Sequence, residues 1–399
     1  MIKNKMTTKR EILEGSRAVA LTIKNIGPSV ISAYPITPQT HIVEDLAKIK
    51  ADGGANYEYL RAESEFAAAS IVLGASAAGA RVYSATSSQG LLLMAEVIHN
   101  IAGMRLPVVM TCANRAISAP ISIWNDHSDV MNIKDSGFIQ FFAADSQEAV
   151  NQHILAYKIA EKHNLPVMVN MDGFILTHGM EVLDMPSQKE VDKFLPPYKT
   201  TYKLDVENPL TMGYLADPDY YLEIRYMVQD THKQLLDIIP QVADDFKKAF
   251  KRGEGNGLVE GYKIEDADQV FVAMGSVCGS IRDVVDDLRA KGKKAGLLKV
   301  ISYRPFPKAC VASALARAKE VAVIDKSISL GAFGPLYTDV MVAVSSLGSE
   351  MPKMSGFVLG LGGRDITKRS IMDTYERLFG KQVDCEFIGL KQELLVEDK

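Results

Sequence analysis

Segments typical of strands and of helices alternate over the first half of this chain, and this alternation restricts its fold more than any other feature. The predicted strands are residues 30–33, 57–60, 81–84, 108–112 and 166–170, and helical patterns separate them. Such alternation predicts an α/β fold, a parallel sheet with helices on both faces. Ligands of such sheets bind beyond the carboxyl ends of the strands. The loops at Thr37, Ser87 and Arg115 follow predicted strands, so we expect them to converge on one edge.

The remaining elements divide the chain further. Helices are predicted over residues 7–26, 40–50 and 222–252, with an interruption of the last near Pro240 left open. Pro35 and Pro38 keep the loop after the first strand extended. Irregular, proline-containing segments at 194–198 and 208–221 predict a connecting region. A second α/β unit is expected over 270–342, with strands at 321–324 and 356–359.

Length and composition limit the class of protein. A chain of 399 residues is too long for one ordinary core, so two or three domains are expected. With 47% hydrophobic and 24% charged residues, it reads as a soluble globular protein. The net charge of −4 offers no basic surface for nucleic acid or for anionic lipid. Residues 1–10 lack the apolar core of a secretory signal, and the uncharged run 66–80 is too short and too rich in small residues to span a membrane. We therefore expect a cytoplasmic location.

The cysteines argue against a metal cluster on this chain. They are far apart and include no CxxC pair; they are Cys112, Cys278, Cys310 and Cys385. Iron–sulfur clusters and structural zinc sites both need grouped ligands. The sequence therefore predicts no iron–sulfur cluster in this chain.

Residues 64–79 consist mostly of Ala, Ser and Gly, and Glu65 opens this otherwise uncharged run. Small side chains let a neighbouring helix or a flat ligand approach the backbone closely. The pattern fits two interpretations. One is a buried helix whose first turn carries Glu65, stabilised there by the helix dipole. The other is a ligand site with a functional carboxylate at its edge.

Other motifs carry weaker signals. The segment 87–90 contains two serines, but the GxSxG elbow of hydrolases is absent. The turn 275–279 lacks the GxGxxG spacing of dinucleotide-binding loops, so a plain strand-to-helix turn is favoured. The segment 360–364 has the glycines of a phosphate-binding loop but precedes no clear helix.

Polar residues near the predicted strand ends are the remaining candidates. The cluster Asp126-His127-Ser128-Asp129 offers oxygen and nitrogen ligands, but side chains of consecutive residues do not easily converge on one metal. We expect a structural or substrate-proximal polar loop and assign no metal site. Arg115 is either a solvated cation or a bidentate fork for a carboxylate. Thr37 is either a helix cap or a hydrogen-bond donor to a ligand.

Five segments, in this order along the chain, resemble the alpha subunits of multi-subunit pyruvate:ferredoxin oxidoreductases, which are thiamine-diphosphate enzymes. The segments are SAYPITPQT (32–40), ESEFAAA (63–69), ATSSQGLLLM (85–94), NRAISAP (114–120) and NDHSDVM (125–131). The resemblance covers essentially the whole chain. It implies a pyrimidine-binding domain at 1–195, a linker with the long helix at 196–255, and a transketolase C-terminal-like domain at 256–399.

The resemblance also implies roles for three residues. Glu65 would hydrogen-bond the aminopyrimidine of thiamine diphosphate and favour the imino tautomer that removes the C2 proton. Arg115 matches an arginine that binds the carboxylate of a 2-oxoacid, and Thr37 a hydrogen-bond donor to the substrate. Members that act on the dianion oxalate are expected to carry an arginine in that loop. Thr37 therefore indicates a monocarboxylate.

The implied reaction is oxidative decarboxylation of pyruvate with coenzyme A, giving acetyl-CoA, CO₂ and electrons for ferredoxin, or the reverse pyruvate synthesis in anaerobic metabolism. The chain has no GDG motif. By resemblance, a beta subunit would therefore supply the diphosphate and Mg²⁺ site and a [4Fe–4S] cluster. Gamma and ferredoxin-like delta subunits would be the other partners.

Three alternatives remain. The substrate can instead be a branched-chain 2-oxoacid or 2-oxoglutarate, although NDHSDVM is more similar to the pyruvate and branched-chain members. A chain of this kind can also be a non-catalytic, thiamine-diphosphate-binding scaffold. An NAD-dependent dehydrogenase is disfavoured because the dinucleotide fingerprint is missing.

Overall fold

The computed structural model describes residues 9–253 and 255–395, which divide into two compact units. Unit 1 comprises the described residues up to Leu258 together with Ile301–Pro307. Unit 2 comprises Val259–Val300 and the described residues from Lys308 onward. No helix in the described part of the chain has both the length and the apolar composition needed to cross a bilayer.

Strands and helices alternate in both units. In the described residues, the strands are β1 (Lys9–Glu14), β2 (Val30–Ala33), β3 (Glu58–Arg61), β4 (Val82–Thr86), β5 (Val109–Asn114), β6 (Ile139–Phe142), β7 (Val167–Asp172), β8 (Met180–Met185), β9 (Val259–Tyr262), β10 (Gln269–Ala273), β11 (Ala295–Val300), β12 (Ser302–Arg304), β13 (Glu320–Asp325), β14 (Lys353–Val358) and β15 (Glu386–Phe387). The α-helices are α1 (Gly15–Ile26), α2 (Thr40–Ala51), α3 (Glu65–Ala77), α4 (Ser88–Leu93), α5 (Ala95–Gly103), α6 (Ser128–Met131), α7 (Ser146–His163), α8 (Gln188–Phe194), α9 (Pro218–Phe250), α10 (Val277–Ala290), α11 (Lys308–Leu315), α12 (Pro335–Val344) and α13 (Lys368–Arg377).

Unit 1 is built on a seven-stranded sheet in the order β12-β6-β7-β5-β4-β2-β3. Neighbouring strands are parallel except β12, which runs antiparallel to β6. Every residue of β4, β5, β6 and β7 is buried. Strands buried throughout have both faces covered, so the predicted α/β architecture is confirmed. Because β2, β4, β5 and β7 are parallel, their carboxyl ends meet at one edge.

Side-chain caps define where two helices of this unit begin. Ser64 Oγ accepts a 3.2 Å hydrogen bond from the N–H of Ala67, and α3 therefore starts at Glu65. Asp145 caps α7 in the same way, accepting from the N–H of Glu148 at 2.7 Å. The cap of α3 thus places Glu65 in the first turn, as the sequence predicted.

The strands predicted for the first half of the chain are all present, displaced by at most about two residues at either end. The predicted helix over 7–26 is wrong in its first part. Residues 9–14 form β1, and the chain becomes helical only at Gly15; residues 7 and 8 lie outside the described part. β1 pairs antiparallel with β8, a strand that was not predicted. Long-range pairing overrides a local pattern that also fits a helix.

The long helix α9 is continuous through Pro240, so the interruption left open at that position does not occur. Proline removes one backbone hydrogen bond from a helix interior. Here Ile239 and Val242, on either side of it, are buried, and their packing holds the helix together. The helix also begins earlier than predicted, because Asp217 caps it by accepting from the N–H of Asp219 at 3.0 Å.

Unit 2 contains a six-stranded sheet in the order β15-β14-β13-β10-β11-β9, in which only β9 runs antiparallel to its neighbour. The predicted strand, glycine turn, helix and strand between 270 and 300 are confirmed as β10, α10 and β11. At the end of β13, the buried Asp325 accepts from the N–H groups of Leu336 and Tyr337, both at 2.9 Å. Burial raises the pKa of Asp325 to about 7.

Candidate cofactor and substrate site

The loops after β2, β4 and β5 come together at the carboxyl edge of the unit 1 sheet, as predicted, and the loop after β7 joins them there. Arg115, which follows β5, donates from Nη1 to the carbonyl oxygen of Thr37 at 2.9 Å. Ser87, which follows β4, donates from Oγ to the carbonyl oxygen of Ala113 at 2.7 Å. A Cβ on Gly173, which follows β7, would lie 2.6 Å from Cγ of Pro38. The strand ends therefore form one continuous surface.

Glu65 lies at this edge with only 8% of its surface exposed. It packs against Gly90, where a Cβ would lie 2.7 Å from Cγ and Oε1 of Glu65 and 2.7 Å from Oγ1 of Thr86. Such distances are shorter than those that real Cβ atoms show, so any larger residue at position 90 would force Glu65 or Thr86 to move. The Oγ1 of Thr86 is buried and has no hydrogen-bond partner among the described residues. The Glu65 carboxylate therefore lies beside a hydroxyl that has no hydrogen-bond partner in the described part of the chain and beside the backbone of Gly90, which carries no side chain.

Arg115 is 93% buried, and its guanidinium is oriented by two carbonyl groups. Besides the bond to Thr37, Nε donates to the carbonyl oxygen of Ser122 at 3.0 Å. Neither bond uses Nη2. Burial lowers the pKa of Arg115, although the nearby carboxylate of Asp129 acts in the opposite direction. A buried guanidinium is stabilised by a neighbouring negative charge, so the position of Arg115 suits the binding of an anionic ligand.

Thr37 is exposed and does not cap the following helix. The N-cap of α2 is Gln39, and no side chain donates or accepts a capping hydrogen bond there. The amide of Gln39 is instead directed inward, donating to the carbonyl oxygen of Ala85 at 2.8 Å. The capping interpretation of Thr37 is therefore wrong, and its role toward a substrate stays a prediction.

Asp129 connects the loops of the site, a role that sequence reasoning missed. Its Oδ2 accepts from the backbone N–H groups of Ser88, at 3.1 Å, and Arg115, at 2.9 Å. Its Oδ1 accepts from Nδ2 of Asn114 at 3.1 Å. Burial raises the pKa of Asp129 to about 6, although these three hydrogen bonds act in the opposite direction. The motif NDHSDVM contains this residue, but only the fold shows which loops it joins.

A buried histidine–carboxylate pair lies at the end of β7. His127 Nε2 is 2.7 Å from Oδ1 of Asp172, and both side chains are about 1% exposed. The ring of His127 packs on Phe142 with a centroid distance of 5.0 Å. Asp172, the last residue of β7, was not among the predicted site residues. The contacts of His127 and Asp129 within the protein fit the structural interpretation of the cluster 126–129, and its role toward a substrate stays a prediction.

Two family models match most of the chain. Residues 22–244 match the family described as "Pyruvate flavodoxin/ferredoxin oxidoreductase, thiamine diP-bdg". Residues 267–371 match "Pyruvate:ferredoxin oxidoreductase core domain II". The chain therefore belongs to a class of thiamine-diphosphate-binding oxidoreductases, the pyruvate:ferredoxin oxidoreductase family.

Two relatives are similar over most of their length. One, named pyruvate synthase subunit PorA, from Methanothermobacter thermautotrophicus, is 46% identical over 96% of this chain and 99% of its own. Another, named ketoisovalerate oxidoreductase subunit VorA, from Pyrococcus horikoshii, is 42% identical over 91% of this chain and 92% of its own.

A solved structure shares the fold. It is the 2-oxoglutarate:ferredoxin oxidoreductase from Magnetococcus marinus with 2-oxoglutarate, coenzyme A and succinyl-CoA bound. The TM-score is 0.71 with 20% identity, and the match covers 92% of this chain and 65% of that one. At this identity the likeness concerns the fold alone.

Proposed function

We propose that this chain is the alpha subunit of a multi-subunit pyruvate:ferredoxin oxidoreductase. The enzyme converts pyruvate and coenzyme A to acetyl-CoA and CO₂, passes the electrons to ferredoxin, and can run in reverse as a pyruvate synthase. The observation that carries this proposal is the 46% identity, over nearly the full length, to a relative named as a pyruvate synthase subunit. The site geometry supports it residue by residue.

The surroundings of Glu65 fit the aminopyrimidine of thiamine diphosphate. The buried carboxylate, the unpartnered hydroxyl of Thr86 and the bare backbone at Gly90 form a narrow polar cradle that a flat ring can approach. The bound cofactor would supply a nucleophilic ring carbon for addition to the 2-oxo carbon and a cationic thiazolium ring that takes up the electron pair left by decarboxylation. Glu65 holds a hydrogen bond to a nitrogen of the pyrimidine ring. Proton handling of this kind contributes roughly 10²- to 10⁴-fold in rate.

Arg115 and Thr37 bind the 2-oxoacid. The guanidinium, with Nη2 left over from its two carbonyl contacts, pairs with the substrate carboxylate. The Thr37 hydroxyl donates to the substrate on the exposed side of the same contact. The two backbone carbonyls fix the guanidinium before the substrate arrives, so less side-chain freedom is lost on binding.

The rest of the enzyme belongs to partner chains. We propose a beta subunit that carries the diphosphate and Mg²⁺ site and a [4Fe–4S] cluster, because this chain lacks GDG and its cysteines are scattered. Gamma and ferredoxin-like delta subunits complete the complex. Within this chain, 1–195 serve as the pyrimidine-binding domain, 196–255 as a linker and 256–399 as the transketolase C-terminal-like domain. The cytoplasmic location stays a prediction from the sequence.

A branched-chain 2-oxoacid is the second candidate substrate, since a relative named as a ketoisovalerate oxidoreductase subunit is 42% identical. The test is anaerobic isolation of the intact complex from its native host, followed by coenzyme-A-dependent viologen reduction. Pyruvate, 2-oxoisovalerate, 2-oxoglutarate and oxalate are compared at equal concentration. A preference for pyruvate supports the proposal. A preference for another acid would make that acid the substrate in place of pyruvate. A colourless complex without activity supports a non-catalytic scaffold instead.

A further inference from the structure

Three potential metal ligands meet in unit 1. They are Glu14, His41 and His178, and one ligand atom from each lies within 4.8 Å of the other two. It is the one group of three or more such side chains found at this spacing within residues 9–253 and 255–395. Nothing in the sequence pattern brought them together, because they belong to the end of β1, the first turn of α2 and the loop between β7 and β8.

The backbone of this cluster is held in place on each side. The β1–β8 ladder sets Glu14 opposite Met180, two residues from His178. The N–H of Gly15 continues this pairing by donating to the carbonyl oxygen of Gly179 at 3.1 Å. The ladder therefore fixes Glu14 relative to His178.

His41, the third ligand, is held near the other two because its helix α2 is joined to α1. An ion pair of 2.7 Å joins Arg17 on α1 to Asp45 on α2, within one or two turns of Glu14 and His41. The three ligands thus stand on separate elements that do not depend on a metal for their arrangement.

One of the two histidines, His178, already makes a contact of the kind that metal-binding histidines make. Nδ1 of His178 is 2.8 Å from Oγ1 of the fully buried Thr177. Thr177 Oγ1 is itself fixed, because it accepts from the N–H of Phe174 at 2.8 Å. In the tautomer in which His178 Nδ1–H donates to this hydroxyl, Nε2 presents a lone pair. Metal-binding histidines are usually oriented by such a bond from the other ring nitrogen.

His41 and Glu14 are already in contact. His41 Nδ1 is 2.7 Å from Oε1 of Glu14, and the rings of His41 and His178 have centroids 4.5 Å apart. Ligand atoms around a tetrahedral Zn²⁺ at 2.0–2.1 Å are about 3.3 Å apart. The His41–Glu14 pair would open by well under 1 Å, and His178 would move inward. Glu14 and His178 are half-buried and His41 is exposed, so all three have room to adjust.

We propose that Glu14, His41 and His178 form a binding site for Zn²⁺ or a similar divalent transition-metal ion. Two imidazoles and one carboxylate are a ligand set that such ions accept, with a water molecule in the fourth position. A bound ion joins β1, α2 and the loop after β7. Since His41 lies four residues after Thr37, the ion also steadies the segment that carries the proposed substrate contact.

The experiment uses the full-length chain without a polyhistidine tag, freed of metal by a chelator that is then removed. Co²⁺ is titrated as a spectroscopic probe, and Zn²⁺ is added to displace it. We expect one Co²⁺ per chain with the visible absorption of a tetrahedral site, lost on addition of Zn²⁺. His41→Ala, His178→Ala and Glu14→Gln should each weaken binding at least about 10-fold, since even outer partners of metal ligands contribute 10- to 100-fold. His99→Ala, which changes an exposed histidine on α5, should bind as the parent does.

A second measurement separates a binding defect from misfolding. Glu14→Gln keeps a group that can hydrogen-bond His41, so its melting temperature in EDTA should equal that of the parent. Zn²⁺ should then raise the melting temperature of the parent and of His99→Ala but not of Glu14→Gln, because a ligand that binds only the folded state stabilises it. The proposal is overturned if the parent binds no stoichiometric Co²⁺. It is also overturned if Zn²⁺ stabilises Glu14→Gln and the parent equally.

Discussion

Arg115 donates from Nη1 to the carbonyl oxygen of Thr37 at 2.9 Å, although the two residues are 78 positions apart. The bond joins the loops that follow β2 and β5, and it orients a guanidinium whose side chain is almost fully buried. One residue therefore positions the other, and both stand at the same carboxyl edge. If they bind the substrate as proposed, they should act as a unit.

Replacing Arg115 should weaken binding of the 2-oxoacid. Truncating one partner of a buried charge pair costs about 2–5 kcal/mol, much of it from the charge left unpaired. We expect Arg115→Ala to raise the KM for pyruvate strongly in the reconstituted complex. Arg115→Lys should recover little, because an ammonium group cannot contact Thr37, Ser122 and a carboxylate together. Arg369→Ala, at an exposed arginine of unit 2, is the control. An unchanged KM in Arg115→Ala would remove this residue from the site.

The coupling between the two residues can be measured with a double-mutant cycle. Thr37→Val removes the hydroxyl and keeps the shape, while the carbonyl that receives Arg115 remains. If both residues bind the same substrate molecule, the effects of Thr37→Val and Arg115→Ala on kcat/KM should be non-additive by about 0.5–3 kcal/mol. Strictly additive effects would mean that Thr37 contacts the substrate independently or not at all.

Glu65→Gln tests the cofactor contact. The amide keeps the shape of the side chain but cannot exchange a proton with a pyrimidine nitrogen as the carboxylate does. Turnover should fall by about 10²- to 10⁴-fold, with little change in melting temperature. Glu63→Gln, two residues earlier and exposed, is the matched control and should be active. Parent-like turnover of the Glu65 variant would rule out the assignment.

Gly90→Ala tests the close approach beside Glu65. The added Cβ would meet both the Glu65 carboxylate and Thr86 Oγ1 at 2.7 Å, so one of them must move. We expect a loss of activity together with destabilisation of about 1–3 kcal/mol, the usual range for overpacking. Gly103→Ala, at a helical glycine with nothing within 4 Å of the new Cβ, should be neutral or stabilising. Denaturant unfolding and turnover are measured on both variants. If Gly90→Ala and Gly103→Ala had the same stability and the same turnover, the close packing of Gly90 against Glu65 and Thr86 would be contradicted.

Asp129 should make stability depend on pH. Its pKa is raised from the usual 3.8 to about 6 in the folded chain, so ionisation is harder in the folded state than in the unfolded state. The contribution of protonated Asp129 to the free energy of unfolding is complete below pH ~4. It is lost as the pH rises through ~6, which lowers the free energy of unfolding by about 3 kcal/mol. Asp129→Asn cannot ionise, so the parent's stability relative to this variant should fall between pH 4 and pH 7. A difference that is flat or rises over this range would contradict the assigned pKa.

Much of the fold followed from local sequence. The apolar runs of β2, β4, β5 and β7 and the helices between them required a parallel sheet, and its topology brought Thr37, Ser87 and Arg115 to one edge. Where the prediction was wrong, contacts between residues distant in sequence determined the secondary structure. Residues 9–14 also fit a helix, and they form a strand because β8 supplies the hydrogen-bonding partner. Pro240 remains helical because the apolar face on both sides of it is buried.

The candidate site divides in the same way. Residue type and position made Glu65, Thr37 and Arg115 candidates but left a structural interpretation open for each, and the resemblance to the alpha subunits supplied the roles predicted for them. Asp129 could not be assigned from its motif, since its role consists of bonds to backbone N–H groups of loops that are distant in sequence. The Glu14–His41–His178 cluster was equally invisible, because only the β1–β8 pairing and the packing of α1 against α2 bring these residues together. The sequence by itself determined which residues can do chemistry, and the tertiary structure decided which of them can do it together.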